Sequence, residues 1–365
     1  MKALIGLVLM LASIHACAVA QNNTGKTENV IVITWDGFRW QEMFSGADEV
    51  LMDKQNGGVK DIPGLKNQFW REKAQERREA LLPFVWGTMA KQGQLFGDPS
   101  SKAHCKSTNG LKFSYPGYSE LFCGVADQRI DSNDKRENPN LSVLEYLNQQ
   151  PGLKNRVAAF CTWDVFPSIF RSHKNGLFVH AGWQPRLDKN LSDKQRHLNE
   201  FMDRLPRYWP DNVFDFVTME SAFDYLQQHK PRVMYIGLGE TDEWGHGRRY
   251  DLYLNSAHQA DKFLAELWAK LQQMPQYQNK TSIILTTDHG RGMTRINWTD
   301  HGEKVEGAEF IWIGVLGPDT PALGLRKEVA TTQSQVAATV SALLGLNFQS
   351  ASPQAAAPLP IFQAN

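Results

Sequence analysis

The sequence predicts a single α/β domain with a doubly wound, mainly parallel central sheet and helices on both faces. Three runs, "NVIVITWDG", "RVMYIGLGETDEWGH" and "SIILTTDHG", are apolar at nearly every position before they reach an acid. Such runs are typical of strands that are buried on both faces, as in parallel sheets. Between the last two runs, "LYLNSAHQADKFLAELWAKLQQM" repeats apolar residues at three- and four-residue steps, which predicts an amphipathic helix. Strands that alternate with helices favour the doubly wound arrangement.

The N-terminal segment has the features of an export signal. "MKALIGLVLMLASIHACAVAQNN" combines one lysine, an apolar stretch too short to span a bilayer, and small residues at Ala18 and Ala20. We therefore expect residues 1–20 to be a signal peptide and the mature protein to be periplasmic or secreted. The alternative is a lipoprotein signal acylated at Cys17, which the nearby His15 fits poorly. No later segment is apolar enough to predict a membrane span.

Two segments are predicted as additions to the main domain, which is expected over residues 21–348. Residues 44–93 are rich in charge, as in "WREKAQERREALL", and are predicted to form a helical insertion that caps the site or the sheet. The Ala/Pro/Gln-rich residues 349–365 are predicted to be a flexible tail.

Charge and cysteine content restrict the partners and the stabilising bonds. The chain has 39 basic and 39 acidic residues and no long basic run, which argues against a nucleic-acid duplex as partner. Cys105, Cys123 and Cys161 have wide, irregular spacing, unlike a zinc-finger pattern. In an oxidising compartment they allow either one disulfide or buried thiols.

Acids and histidines follow the predicted strands, where ligands bind in a parallel sheet. The candidates are Asp36, Asp242, His246, Asp288, His289 and His301. Three carboxylates and three imidazoles suit Zn²⁺ or a similar ion better than Ca²⁺ or Mg²⁺, and they suffice for two ions. Asp242 and His246 are four residues apart, so one helical turn would aim both at one point. Each piece alone has a simpler explanation, such as a local ion pair or a helix cap, but the combination favours a metal site.

These residues lie in motifs that resemble the alkaline phosphatase superfamily, most closely its nucleotide pyrophosphatase/phosphodiesterase-like branch. The motifs are "VIVITWDGFR", "KFSYPGYSELFCG", "DEWGH", "TTDHGRGM" and "WTDHGE", and they span nearly the whole mature chain. The resemblance implies two divalent ions, usually Zn²⁺. It implies that one ion is held by Asp242, His246 and His301, and the other by Asp36, Asp288 and His289.

The resemblance also implies a nucleophile and a phosphate-binding amide. The nucleophile, beside the metals, would be Ser114 in "FSYPGY", since a serine hydroxyl needs a metal or a base to favour its alkoxide. Ser114 would also fit a helix N-cap, and Ser119 is a weaker rival because no Gly-x-Ser-x-Gly elbow surrounds it. Asn133 in "DSNDK" would donate to a phosphoryl oxygen. Asn109 is the alternative, although an Asx-turn would explain it equally well.

Substrate preference depends on the stretch that follows "VAAFC". Phosphomonoesterases of the superfamily often present a Lys-x-Arg pair here, whereas this chain has Asp164 and Phe166 where such cations would stand. An acid disfavours a dianionic phosphoryl group, so diesters are favoured, with an alkyl or nucleotidyl group against Trp163, Phe166 or Phe170. Arg291, just after the Asp-His-Gly motif, or Arg39 could still supply positive charge.

The sequence thus predicts an exported two-metal hydrolase of small phosphate esters. The first expectation is a phosphodiesterase or nucleotide pyrophosphatase that forms a phosphoserine intermediate. The alternative is an alkaline phosphomonoesterase with the same metals and nucleophile. Sulfatase activity is disfavoured because Tyr118 replaces the Arg of a Cys/Ser-x-Pro-x-Arg frame. A non-catalytic binding protein is disfavoured because neither a metal ligand nor the nucleophile is missing.

Overall fold

The computed structural model describes residues 25–102 and 104–362, so the predicted signal peptide, with Cys17, lies outside the described residues. The strands are β1 Asn29–Trp35, β2 Gln94–Phe96, β3 Cys105–Lys106, β4 Val157–Cys161, β5 Phe178–Ala181, β6 Val233–Leu238, β7 Thr281–Thr286, β8 Phe310–Ile311, β9 Ile313–Leu316, β10 Gly324–Leu325 and β11 Thr331–Thr332.

The helices lie between and after these strands. They are α1 Trp40–Ser45, α2 Ile62–Phe69, α3 Ala74–Leu81, α4 Ala90–Gln92, α5 Ser114–Cys123, α6 Val143–Asn148, α7 Phe166–Ile169, α8 Ser172–Asn175, α9 Asp193–Arg204, α10 Asp215–His229, α11 Glu240–His246, α12 Tyr250–Gln273 and α13 Gln335–Leu343. A π-helical turn, Val85–Met89, precedes α4. Within the described ranges, no helix has both the length and the apolar character that crossing a membrane requires.

The main sheet has the order β10-β2-β9-β7-β1-β6-β4-β5. Its centre, from β7 through β1, β6 and β4 to β5, is parallel throughout, which confirms the predicted mainly parallel α/β fold. On one side the sheet continues with β9, which pairs antiparallel with both β7 and β2. Strands β11, β3 and β8 form a second, separate sheet of three strands. The sequence analysis did not anticipate the antiparallel side or the small sheet.

Both faces of the sheet are covered, which explains why the strands are apolar at every position. In β1, Ile31 and Ile33 belong to one hydrophobic core, whereas Val30 and Val32 belong to another. Side chains alternate along a strand, so each core takes every second residue. The first core includes α10, α12 and α1–α3, and the second includes α5, α6, α7 and α13.

Residues 44–93 form short helices that cover the first face of the sheet. Phe44, Leu65, Phe69 and Leu81 are buried in the first core, which also contains α12. The charged side chains of α3 lie mostly on its outer side, and only Leu81 of that helix is buried. The dense charge of this segment therefore marks the solvent side of a covering layer.

The C-terminal segment differs from the predicted flexible tail. Ala355, Leu359 and Ile361 are buried in the second core, together with α13. The Leu359 N–H donates to Thr339 Oγ1 at 2.8 Å. The composition from Gln349 onward lacks a helix or strand period, but these apolar side chains are sufficient to anchor an irregular segment. The described part of the domain therefore extends beyond residue 348.

The three cysteines in the described residues are buried free thiols. Of the two possibilities left by the sequence, the structure shows the second. Burial raises the pKa of Cys105 and of Cys123 to about 12, so neither thiol is poised for reaction at neutral pH.

Candidate active site

Six acidic and histidine side chains meet beyond the carboxyl ends of three adjacent strands. β1 lies between β6 and β7, and all three run parallel, so their ends reach the same edge of the sheet. One of the six follows β1, two follow β7, two lie on α11 just after β6, and one lies on a loop beyond β7. They are Asp36, Asp288, His289, Asp242, His246 and His301.

These six side chains form two groups of three. In each group, one possible ligand atom per residue lies within 4.8 Å of the others. The inner group, Asp36, Asp288 and His289, is buried, whereas the outer group, Asp242, His246 and His301, is partly exposed. The grouping matches the two ligand sets that the resemblance implied.

The protein surroundings of the inner group disfavour the charged forms of its two carboxyl groups. Burial and then the Asp242 carboxylate raise the pKa of Asp36 well above its usual range, and burial and then Asp36 do the same to the pKa of Asp288. Asp36 Oδ1 and Asp288 Oδ2 are buried and lack a hydrogen-bond partner among the described residues. Unsatisfied buried carboxylate oxygens are costly, and a divalent cation would satisfy both. The residues therefore fit a metal ion.

The outer group also fits a cation. His246 Nε2 and His301 Nε2 are 2.9 Å apart, and His246 Nε2 is 3.2 Å from Asp242 Oδ2. Burial opposes ionisation of Asp242, but the Arg291 guanidinium and then His246 hold the pKa of this carboxyl well below its usual range. An ionised carboxylate between two imidazole nitrogens is a suitable ligand set for Zn²⁺.

Neither arginine proposed to face the substrate does so. Arg291 is fully buried, and its guanidinium donates to the Asp242 carboxylate and backbone oxygen and to the Thr299 carbonyl. Arg39 is also buried and forms an ion pair with Glu42. Arg291 directly follows the Asp-His-Gly motif, but this position in the sequence does not reveal that its side chain points to Asp242 and away from the substrate cavity.

Ser114 lies at the inner group, at the start of α5. Its Oγ is 3.3 Å from His289 Nε2. Phe113 is the N-cap and Ser114 is the first helical residue, so the N-cap explanation of Ser114 does not hold. Ser119 is buried away from the ligands, where its Oγ accepts a hydrogen bond from Asn138.

Asn133 and Asn109 have different surroundings. The side-chain oxygen of Asn133 accepts the Tyr115 N–H at 2.9 Å, which leaves its NH₂ group to donate into the cavity that Ser114 also lines. Asn109 instead accepts the N–H groups of Leu111 and Lys112 and donates to Glu120. Asn109 is therefore an Asx-turn residue.

Beside the ligands lies a cavity of about 460 Å³. Beyond the metal ligands and Ser114, it is lined by Asn133, Asp134, Lys135, Trp163, Val165, Asp211, Asn212, Gly239 and Glu243. Trp163 is among these lining residues, and its contact with a substrate stays a prediction. Asp164 does not line the cavity, because its carboxylate turns to Lys135 Nζ at 2.6 Å. The prediction that Asp164 faces the substrate is therefore corrected, and the acids that do line the cavity are Asp134, Asp211 and Glu243.

Several residues of the site were missed by the sequence analysis. Lys135 is two residues from Asn133, and this spacing could have identified it. Tyr118, one helical turn after Ser114, donates to Asp36 Oδ2 at 2.8 Å, so the same periodicity could have identified it. Asp211 and Asn212 come from the loop between α9 and α10, where no spacing signal exists.

A comparison with protein-family models shows the family to which this chain belongs. The family model of type I phosphodiesterases and nucleotide pyrophosphatases matches residues 47–308, more than half of the chain. The chain belongs to this family. The family is metal-dependent, and membership in it supports a hydrolase of phosphoric or sulfate esters.

Solved structures support the fold of this phosphodiesterase family member. A variant of the alkaline phosphatase PafA is 10% identical, with a TM-score of 0.61 over 92% of this chain and 98% of that chain. The 2-O GAG sulfatase BT1596 is 12% identical, with a TM-score of 0.56 over 91% and 73%. The lipoteichoic acid synthase LtaP from Listeria monocytogenes is 13% identical, with a TM-score of 0.50 over 88% and 72%. A search of curated proteins found no match.

Proposed function

We propose that this protein is a two-metal phosphodiesterase that acts through Ser114. The observation that carries the proposal is that the Ser114 hydroxyl lies 3.3 Å from a candidate metal ligand and lines the cavity beside both ligand groups. The family membership supports ester hydrolysis, and the mixture of carboxylates and imidazoles supports Zn²⁺.

Two sets of side chains would hold the ions. They are Asp36, Asp288 and His289 in the inner group, and Asp242, His246 and His301 in the outer group, with Ser114 beside the inner group. Bound divalent ions supply Lewis acidity and stabilise the charge of the attacking and leaving oxygens in an in-line displacement.

The remaining chemistry belongs to residues of the chain. Ser114 Oγ attacks phosphorus as the bond to the leaving oxygen breaks. The hydroxyl proton ends on the departing alcohol, and Ser114 then carries a phosphoryl group that keeps the second ester substituent. The Asn133 NH₂ group donates to a non-bridging oxygen of the transferring group. Water then cleaves the bond between phosphorus and Ser114 Oγ, which restores the hydroxyl and releases the phosphate monoester.

The acidic residues of the cavity favour a phosphodiester over a phosphomonoester. The diester has one negative charge on its non-bridging oxygens, whereas the monoester dianion has two. Asp211 and Glu243 line the cavity, and neither forms an ion pair with a lysine or arginine in the described part of the chain. Burial and then the nearby carboxylates Asp242 and Asp211 raise the pKa of Glu243 to about 7. Lys135, the cation of the cavity lining, is held by Asp164.

We expect kcat/KM for bis-p-nitrophenyl phosphate to exceed that for p-nitrophenyl phosphate by about fivefold or more, since a like-charge contact costs about 1 kcal/mol or more. In Asp211→Asn this ratio should fall, because one of the carboxylates that disfavour the monoester dianion is lost. Asp193→Asn, on the exposed side of α9, is the control and should keep the wild-type ratio.

A monoester preference in the wild-type protein would contradict the diester proposal. If that preference also disappeared in Lys135→Ala, the alkaline phosphomonoesterase would be the correct function, with Lys135 as its phosphate-binding cation.

Sulfate esters are the second comparison. We expect p-nitrophenyl sulfate to be a poor substrate because Tyr118, in the place of a sulfatase arginine, is engaged with Asp36.

We further propose that the protein is exported and cleaved after Ala20. Expression of the full chain in a bacterium with an outer membrane should give a periplasmic protein whose first residue is Gln21. Cys17→Ala should leave this product unchanged. A product that keeps Cys17 with a bound acyl chain, and that is lost in Cys17→Ala, would contradict soluble export and establish the lipoprotein alternative.

A further inference from the structure

Arg291 is close in sequence to the inner ligand group, but its side chain contacts the outer ligand group. It follows the inner ligands Asp288 and His289 by only a few residues, yet its guanidinium contacts the outer group. One nitrogen, Nη2, donates to the Asp242 carboxylate at Oδ1 and to the Asp242 carbonyl at 2.8 Å. The other, Nη1, donates to the Thr299 carbonyl at 2.5 Å, two residues before His301.

The guanidinium occupies a space shaped by glycines. A Cβ atom on Gly245, in α11, would lie 2.6 Å from Arg291 Cζ. A Cβ atom on Gly37 would lie 3.0 Å from Arg291 Nε and 2.6 Å from Asp242 Oδ1. Any larger residue at either position would displace the arginine or the carboxylate. The absence of a side chain at these two glycines therefore leaves the space that the guanidinium fills.

The contact selects one oxygen of the Asp242 carboxylate. Arg291 takes Oδ1, and Oδ2 remains 3.2 Å from His246 Nε2, on the side where an ion of the outer group would be bound. The Thr299 contact fixes the segment that carries His301, and this segment is also held by the Gly292 N–H, which donates to the Asp300 carbonyl at 2.9 Å. Two of the three outer ligands therefore depend on contacts made by residues 291 and 292.

We propose that Arg291 is the positioning residue of the outer metal site, and that it orients the Asp242 carboxylate and the His301 segment before an ion binds. The inference rests on the proposed two-metal function. Arg291 does not contact substrate in this arrangement, so it acts through Asp242. Partners that orient a metal ligand contribute about 10- to 100-fold to metal affinity. We therefore expect the loss of this contact to weaken one of two bound ions by about that factor.

The test measures zinc affinity by competition with a chromophoric chelator, and Co²⁺ binding by visible absorption. Arg291→Lys keeps the charge but loses the forked geometry. Gly245→Ala keeps Arg291 but displaces its guanidinium. The controls are Arg186→Lys, an equally buried arginine paired with Asp188 and Asp224, and Gly87→Ala, a helical glycine with open space around its Cβ position. His246→Ala identifies which ion belongs to the outer site.

In Arg291→Lys and Gly245→Ala, we expect one ion to bind as in the wild type and the other about 10- to 100-fold more weakly, with a changed Co²⁺ spectrum. The weakened ion should be the one affected by His246→Ala. Unchanged affinity in both variants, equal weakening of both ions, or the same loss in Arg186→Lys would overturn the inference. A wild-type protein that binds fewer than two zinc ions would overturn the two-metal proposal itself, and the inference with it.

Discussion

Replacing Ser114 by alanine will lower kcat for bis-p-nitrophenyl phosphate by about 10⁴- to 10⁶-fold, the range for removing an essential member of a nucleophilic constellation. The reason is that Ser114 supplies the attacking oxygen of the proposed two-step reaction, whereas the nearby Tyr118 hydroxyl is engaged in a hydrogen bond to Asp36. Steady-state kinetics with zinc-loaded protein measure this loss, and zinc content measured in parallel shows whether the ions remain. A phosphorylated Ser114 peptide should be recoverable from acid-quenched wild-type protein.

Ser119→Ala is the matched control for Ser114→Ala. Ser119 is on the same helix and buried, but its hydroxyl accepts a hydrogen bond from Asn138 instead of facing the cavity. We expect Ser119→Ala to keep most of the wild-type turnover. Equal activity in wild type and Ser114→Ala would exclude Ser114 as the nucleophile.

The second large effect is expected at the inner ligand group. Asp288→Asn should reduce the bound zinc from two ions to one and lower kcat by about 10³-fold, because a metal contributes several kcal/mol of charge stabilisation. The substitution keeps an oxygen that can accept the Gly37 N–H, which Asp288 Oδ1 accepts at 3.1 Å. Metal analysis and kinetics on the same preparation give both numbers.

Asp261→Asn is the control for this loss of a buried carboxylate. Asp261 also accepts backbone N–H groups, those of Phe84 and Val85, but it lies in α12 away from the ligands. It should keep two zinc ions. In the wild-type protein, a chelator should abolish activity and added zinc should restore it. Full turnover in chelated protein, or two zinc ions in Asp288→Asn, would contradict the role given to the inner group.

The centre of the fold could be predicted from the sequence because a strand that is buried on both faces is apolar at nearly every position. β1, β6 and β7 are continuous apolar runs, and parallel strands must place the acids that follow them at one edge. β2 has only three residues, and its antiparallel pairing with β9 depends on contacts distant in sequence. Such short strands have no periodicity of their own, so the antiparallel side could not be predicted.

The candidate site was predictable where residues act through local spacing. Asp242 and His246 share one helical turn, and this spacing survives in α11. Asp164 was misassigned because its direction is set by Lys135, which is 29 residues away in sequence. Arg291 was misassigned because its environment is made by Gly37 and Gly245 from other elements. Side-chain direction at these positions is a property of tertiary packing.

The unequal burial of the two ligand groups has a consequence for how ions enter and leave. His289 of the inner group is fully buried, whereas the His246 side chain of the outer group is 46% exposed. Asp36 borders the cavity, but Asp288 and His289 are fully buried, so an ion held by the inner group would have less contact with solvent than an ion held by the outer group. We therefore expect an ion in the outer group to exchange faster than an ion in the inner group when zinc-loaded protein is mixed with a second divalent metal. The two neighbouring sites would therefore differ in how long each keeps the ion that it first bound.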